Sequence, residues 1–503
     1  MSTVNSGMAS EDAEVPKVGE AGAEPDPRRW LALTLLCGLQ FMILLDMTVV
    51  NVALPRIQDS LGFTEAGLAW VINGYVLMSG GLLLLGGRLA DVFGRRRLLL
   101  TGVVIFAVAS AVCGAAVSPG MMVAGRFGQG MAEAIAAPAS LGMIALLFTD
   151  PKERTKALGI WGGLVALGGT LGYIISGLLT DLASWRWIFY INLPVALVVL
   201  VVLPRLVAES RMVREKGAGL DVTGAIAATG GLFATVFGLL QAAEHPWGSA
   251  RVVLPLVLGV CLILATLIIE RRARNPLIPL SFFANRTRSV INVATLFFMA
   301  AFISYTFMLT LFEQHVLGYS PLRSGLAWLP LGLGIGFGIG MGTAMTPRFG
   351  VKAVAGVGFI GAGVGLLLTS MIDTDSAYLG GILPGMVVFA VFAGATMPAA
   401  TNAALHGVTV QDSGLASGVQ STMQQVGSAL GLAVLVTLAL RHAGDAVQQG
   451  VDLNEAVTSG YRLAFRVGAA LMVIGGVLIL ALFERVSTEL RNPTVELVEK
   501  AAH

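Results

Sequence analysis

Leu61-Gly62-Phe63-Thr64, followed by Gly67-Leu68-Ala69-Trp70, returns 256 to 258 residues later as Leu317-Gly318-Tyr319-Ser320 followed by Gly325-Leu326-Ala327-Trp328. A second pair keeps the offset of 256: Asp91-Val92-Phe93-Gly94-Arg95-Arg96 and Pro347-Arg348-Phe349-Gly350-Val351-Lys352. A third lies at 259, where Gly159, Gly168 and Gly172 match Gly418, Gly427 and Gly431. Three matches at nearly one offset mark an internal duplication. The duplicated chain is too apolar for water. Of its 503 residues 55% are hydrophobic and 12% charged, and the mean hydropathy is +0.80. A soluble surface needs about 25% charged residues, so lipid must surround most of this chain.

A span needs about 20 mostly apolar residues. Fourteen such stretches occur, near 30–53, 66–87, 97–117, 120–148, 155–180, 186–206, 221–242, 252–270, 287–313, 325–345, 352–371, 379–404, 412–440 and 461–484. Basic residues orient them. With the N-terminus inside, the outer segments hold only Arg56, Arg186, Arg251, Arg323, Arg441, Arg462 and Arg466, and Arg126 lies within a span. The other 24 of the 32 Lys and Arg fall inside. Both termini are therefore expected in the cytoplasm. Arg greatly outnumbers Lys, a bias of GC-rich bacterial genomes, so the expected location is a bacterial cytoplasmic membrane. The connector at 441–460 reads as a flexible polar loop.

The duplication divides the chain. Residues 1–28 read as a disordered acidic tail and 29–206 as an N-terminal six-helix bundle. Residues 207–286 read as a linker carrying two inserted spans, 287–484 as a C-terminal six-helix bundle, and 485–503 as a cytoplasmic tail. Two parallel six-span repeats point to an all-α membrane protein, a secondary transporter with its site between the halves. No HExxH, P-loop or His/Cys metal spacing is present, so neither an enzyme nor a cofactor or metal is expected. Basic residues in short inter-span clusters give no nucleic-acid-binding face. Cys37, Cys113 and Cys261 lie in apolar stretches and read as small buried hydrophobes.

Ionisable groups inside spans are the best pointers to function, since each costs several kcal/mol to insert. Asp46 lies in span 1, and Arg126 and Glu133 lie in span 4. Arg126, Gln129, Gly130, Glu133 and Ala137 recur at helical spacing and form one polar stripe. Burial disfavours a charged carboxylate and a nearby cation favours it. Moving Arg126 or a cationic substrate relative to Asp46 or Glu133 would switch protonation. Gln129, Tyr305, Glu313, Asn402, Gln420 and Gln424 are the candidate cavity residues, with Gln425 and His406 as further polar candidates. Glu313 and His315 end span 9, where an exposed helix end competes with an outer gate or a second acidic contact for cations. The expected partners are a small molecule, protons and the lipid bilayer, with the protein a monomer.

Several motifs carry a family resemblance. Leu45-Asp46-Met47-Thr48-Val49-Val50-Asn51-Val52-Ala53-Leu54-Pro55 resembles the first-span signature of the fourteen-span drug:proton antiporters of the major facilitator superfamily. Trp70-Val71-Ile72-Asn73-Gly74-Tyr75 is similar to their second span. Gly87-Arg88-Leu89-Ala90-Asp91-Val92-Phe93-Gly94-Arg95-Arg96-Arg97 resembles the superfamily's loop motif, and Arg126-Phe127-Gly128-Gln129-Gly130 its fourth-span motif. Ser184 to Pro194 resembles the entry to span 6. The resemblance implies a major facilitator fold and proton-coupled multidrug efflux. It implies roles for Asp46 and Arg126 in proton coupling, and for Gly87, Asp91, Gly94 and Arg95 as a conformational latch. An exporter dedicated to one endogenous product is the rival reading. In span 5 the family's Gly-Pro-x-x-Gly-Gly is replaced by Gly172-Tyr173-Ile174-Ile175-Ser176-Gly177, so the antiporter-motif helix, with Gly168, departs at Tyr173.

Overall fold

A computed structural model of the chain describes residues 28–148, 150–207, 209, 221–273, 280–404 and 413–483. The expected tails at 1–28 and 485–503 lie outside them, Arg28 apart, as do 210–220 and 274–279 of the expected linker. Every described element is helical. The first half holds α1 (Arg29–Leu61), α2 (Glu65–Phe93), α3 (Arg95–Gly114), α4 (Pro119–Leu147), α5 (Pro151–Leu182) and α6 (Trp187–Leu206). A hairpin follows, α7 (Val222–Glu244) and α8 (Ala250–Arg272). The second half opens with α9 (Arg286–Leu311), prolonged by one π turn, Phe312–Val316. Pro321–Ala327 then runs into Leu329–Thr369, which bends at Gly350. The bend separates α10 (321–349) from α11 (351–369). Last come α12 (Tyr378–Ala404), α13 (Ser413–Gln448) and α14 (Leu453–Leu482).

Eleven segments are long and apolar enough to cross a bilayer, with α10 and α11 taken as one. α4 and α5 complete the set. α4 carries Arg126, Gln129 and Glu133 along its length, and Leu171–Leu182 is an apolar part of α5. The architecture agrees with fourteen spans.

The duplication is visible in backbone chemistry. Gly62 and Gly318 both turn the chain with positive φ, 72° and 65°. Two residues on, Thr64 and Ser320 cap α2 and α10, each accepting the N–H three positions ahead. Gly94 and Gly350 end α2 and α10 with φ of 101° and 81°. An L side chain is strained at such angles, so both copies of the loop motif need glycine there.

Lipid gives helices no hydrophobic reason to associate, so close backbone packing must supply the energy. Gly86 and Gly130 lay α2 against α4, with a Cβ at either colliding with the facing backbone. Gly338, Gly342 and Gly394 do the same for α10 and α12. Between the halves, α2 runs along α13, where Gly80 faces Gln425 and Gly418 faces Leu84. The pseudo-equivalent pair, α5 and α10, meets where Gly177 lies on Pro321 and Leu322. The α7–α8 hairpin covers the α2–α13 seam.

Two expectations are corrected. Residues 441–460 are not a flexible loop: α13 continues to Gln448 and α14 begins at Leu453. The helices outrun the bilayer because their backbone hydrogen bonds stay internal, and Gly450, at φ 87°, with Asp452 as cap, makes the turn. Cys37 and Cys113 are buried, but Cys261 is exposed on α8. Leu254, Val257, Leu258 and Leu264 share that exposure, so α8 is a peripheral, lipid-facing helix.

Candidate functional site

Charge is concentrated where α1, α3, α4 and α6 converge. Arg126 of α4 donates through Nη1 to Asp46 Oδ2 of α1 at 2.5 Å and to Gln129 Oε1 at 2.7 Å. Its Nε donates to the Val71 carbonyl of α2 at 2.7 Å. Gln129 Nε2 and Asn192 Nδ2 each reach Asp46 Oδ1 at 2.8 Å, and both also donate to Ser110 Oγ of α3. The arginine carbon sits 4.5 Å from the centre of the Tyr75 ring. Asp46 and Arg126 are 0% and 2% exposed as side chains. A buried ion pair survives only when further hydrogen bonds satisfy its remaining lone pairs and protons. Here Gln129, Asn192 and Val71 do so, so the network is closed in this conformation.

Glu133, two turns on from Arg126, is different. Its Oε2 is buried without a hydrogen-bond partner, as is the Tyr75 hydroxyl. Tyr75 and Ser79 lie beside its carboxyl. Ser79 Oγ accepts from Gln425 Nε2 of α13 at 3.0 Å. A line of polar groups thus leads from the Asp46–Arg126 pair through Tyr75, Glu133 and Ser79 into the opposite half.

Glu133 also lines a cavity of about 1000 Å³ between the halves. Its walls are largely apolar, with Met47 and Val76 from the first half and Met299, Phe302 and Ile303 from the second. Thr48, Asn51, Gln424 and Gln425 place polar groups among them. One end reaches Gly87, Arg88, Arg95 and Arg154, the end expected to be cytoplasmic. The other end is shut. Tyr173 of α5 stacks on Trp328 of α10, with ring centres 5.1 Å apart. Gln314 Nε2 donates across the halves to the Val52 carbonyl at 2.8 Å. A Cβ on Gly325 would meet the Tyr173 carbonyl. Tyr173, the departure from the family motif, is therefore a sealing residue in this structure.

Of the expected cavity residues Gln424 and Gln425 line the space. Gln129 is consumed by the ion-pair network. Tyr305 is buried in an aromatic cluster with Trp328, Phe389 and Phe465. Asn402 is exposed and Gln420 half-buried, neither among the lining residues. His406 lies outside the described residues. Glu313 is fully buried rather than an exposed helix end, because the π turn carries it under α10. In the loop motif, Arg95 donates to the Gly142 carbonyl at 2.8 Å, and Gly87 lines the cavity mouth. Glu209 caps the start of α3, accepting from the backbone N–H groups of Arg96 and Arg97, each at 3.2 Å. The Asp91 side chain lies outside the described residues. In α5, Gly172 abuts Thr48 of α1 and Gly168 contacts Phe41 and Leu44. Sequence reasoning missed Asn192, Ser110, Tyr75, Ser79 and Trp328 as site residues. Asn192 and Tyr75 did stand inside motifs that signalled the family, and Trp328 inside the internal repeat.

Two six-helix halves around a central cavity closed at one end define a known architecture, and residues 36–432 match the profile of the Major Facilitator Superfamily. The chain belongs to the Major Facilitator Superfamily. It is 39% identical over 434 residues to the puromycin resistance protein pur8 of Streptomyces alboniger, covering 84% of each chain. It is 38% identical to the lincomycin resistance protein of Streptomyces lincolnensis, covering 82% of this chain and 84% of that one. The cephamycin export protein CmcT of Amycolatopsis lactamdurans is also 38% identical, with 81% and 84% covered. Among solved structures, an auto-inhibited POT family peptide transporter superposes with a TM-score of 0.66 at 14% identity, covering 92% of this chain and 99% of that one. An inward-facing, occupied bacterial homologue of the human lysosomal transporter Spinster superposes at 0.64, with 18% identity and coverage of 93% and 100%. These likenesses place the fold. The chain is a multi-pass membrane transporter of small molecules, not an enzyme.

Proposed function

We propose that this major facilitator exports drug-like amphipathic or cationic compounds across a bacterial cytoplasmic membrane in exchange for protons. It works as a monomer with both termini in the cytoplasm. The observation that carries the reading is the contrast between two carboxyls. Asp46 already accepts from three side chains, whereas Glu133 lines the cavity with one oxygen unpartnered. Glu133 is the group that exchanges a proton for cargo, and Asp46–Arg126 is the fixed charge beside it. A cationic substrate entering the cavity would meet Glu133, stabilise its carboxylate and release the proton. Apolar walls with Met and Phe side chains accept varied shapes and, through aromatic faces, positive charge. The volume is that of a drug-sized site.

Alternating access completes the cycle. Here the cavity opens toward Arg88 and Arg154 and is sealed at Tyr173–Trp328. Rocking the halves would close the first end, with the loop motif as latch, and part the second. A second reading, a dedicated exporter of one endogenous product, is favoured by relatives whose names specify one compound, such as the cephamycin export protein. Reconstitution into liposomes tests both. A pH gradient should drive uptake of lipophilic cations into inside-out liposomes, and Glu133→Gln should abolish it while cargo still binds. Full gradient-driven uptake by Glu133→Gln would overturn the proton role. Transport of one natural product and of no tested cation would favour the second reading.

A further inference from the structure

Glu313 occupies a position that the cavity does not explain. It lies in the π turn closing α9 and is 0% exposed. One carboxyl oxygen is 2.5 Å from the Ser324 hydroxyl of α10, and the other has no partner. The titratable groups around it are phenols: Tyr173 from α5, Tyr305 from α9 and Tyr378 at the start of α12. α14 brings Phe465 against Tyr305 and turns its own Tyr461 toward Glu65. α1 offers a backbone carbonyl, that of Val52, to the neighbouring Gln314. His315 is exposed and faces Asp59, while Arg323 lies over the Tyr319 ring at 3.9 Å. Among the described residues no cation pairs with Glu313. An isolated carboxylate in such surroundings is costly, and the neutral acid is the form that the pocket accommodates.

The surroundings of Glu313 are the seal itself. Ser324, which bonds it, adjoins Gly325, which lies on the Tyr173 backbone. Trp328, one turn further, stacks on Tyr173. Gln314, the next residue, bonds α1 across the halves. Parting α5 and α1 from α9 and α10 removes the cover over Glu313 and admits water from that side. We propose that Glu313 is a proton-linked gate. It holds a proton while the Tyr173–Trp328 end is closed and releases it to the compartment at that end on opening. The proton returns from the same compartment, so Glu313 carries none across. Acid on that side then favours reclosure of the emptied transporter. This rests on the alternating-access reading above, and it gives the two carboxyls separate jobs: Glu133 exchanges and Glu313 gates.

The test measures the seal directly. Spin labels at Leu182→Cys and Leu326→Cys, in the Cys261→Ser background, report the distance across the α5–α10 end in full-length protein in lipid nanodiscs. The expected result is a growing long-distance population as pH rises, at least tenfold between acid and alkaline buffer. Glu313→Gln, which keeps the Ser324 bond, should hold the short distance throughout. Glu313→Asp should restore a pH response. Opening of Glu313→Gln with the wild-type pH profile would overturn the proposal, as would a wild-type distance indifferent to pH. Gradient-driven transport by the wild type, assayed separately in liposomes, decides the function reading. Its failure there would leave the gate measurement standing.

Discussion

Asp46 and Arg126 are 80 positions apart in the chain and 2.5 Å apart in the fold. Removing one partner of a buried pair strands the other, at a cost of about 3–5 kcal/mol. Asp46→Asn should therefore lower the thermal midpoint of the purified protein markedly, whereas Glu133→Gln should barely move it. Asn192→Ala should sit between them, since losing one buried donor costs about 1–3 kcal/mol. Equal midpoints for Asp46→Asn and wild type would show that the pair does not stabilise this conformation. Asp46, Arg126 and Glu133 were legible in the sequence because a charge inside an apolar span is rare. Asn192, Ser110, Tyr75 and Ser79 were not, because uncharged polar residues are common in spans. Their role depends on which helices meet, and Asn192 lies 146 positions from the aspartate it bonds. The burial of Glu313 was hidden for a related reason. Nearness to the end of an apolar run suggested exposure, and only the π turn and α10 show the burial.

At the scale of elements, the decisive contact is the crossing of α5 and α10. A Cβ on Gly177 would lie 2.7 Å from the Pro321 carbonyl oxygen and 3.0 Å from the Leu322 Cα, with backbone on the far side that cannot yield. Gly177→Val should hold this end apart. Asn51 lines the cavity just beyond the seal. An impermeant thiol reagent added from the Tyr173 side should label Asn51→Cys at least about tenfold faster in the Gly177→Val background, a shift of about 1.4 kcal/mol. Unchanged labelling would mean that the crossing does not control access. Apolar length and loop charge reveal the helices themselves, to within a few residues for most spans. They cannot reveal the crossings, since the closest contacts of Gly177 and Gly325 are to backbone, which has the same chemistry everywhere. The continuation of α13 past residue 440 escaped notice because a polar stretch beyond the bilayer stays helical when its own hydrogen bonds are met.

For the whole molecule, the inserted hairpin breaks the symmetry that the duplication would otherwise impose. α7 touches both halves, but in unlike ways. Toward α13 its contacts are polar and directional. The Thr437 hydroxyl donates to the Leu239 carbonyl at 2.7 Å, Arg441 Nε to the Ala242 carbonyl at 2.5 Å, and Arg441 also bonds the His245 carbonyl. The Arg441 guanidinium lies 5.1 Å from the Trp247 ring centre. Toward α2 the contacts are Gly81 against Thr229 and the Trp70 ring against Phe233 and Phe237, at 5.3 and 6.2 Å. Tilted ring contacts of this kind are worth about 0.5–1.5 kcal/mol and need no single donor–acceptor alignment, whereas buried hydrogen bonds left unmade cost about 1–3 kcal/mol each. When the halves rock, the hairpin should travel with the second half while α2 slides beneath it. Spin-label distances between α7 and α13 should then stay constant through the cycle, and those between α7 and α2 should change. Arg441→Ala should loosen the first set without preventing folding, since the Thr437 bond to Leu239 remains. The reverse pattern, a fixed α2–α7 distance with a moving α7–α13 distance, would assign the hairpin to the first half. Arg441 would then be no more than an anchor at the membrane edge.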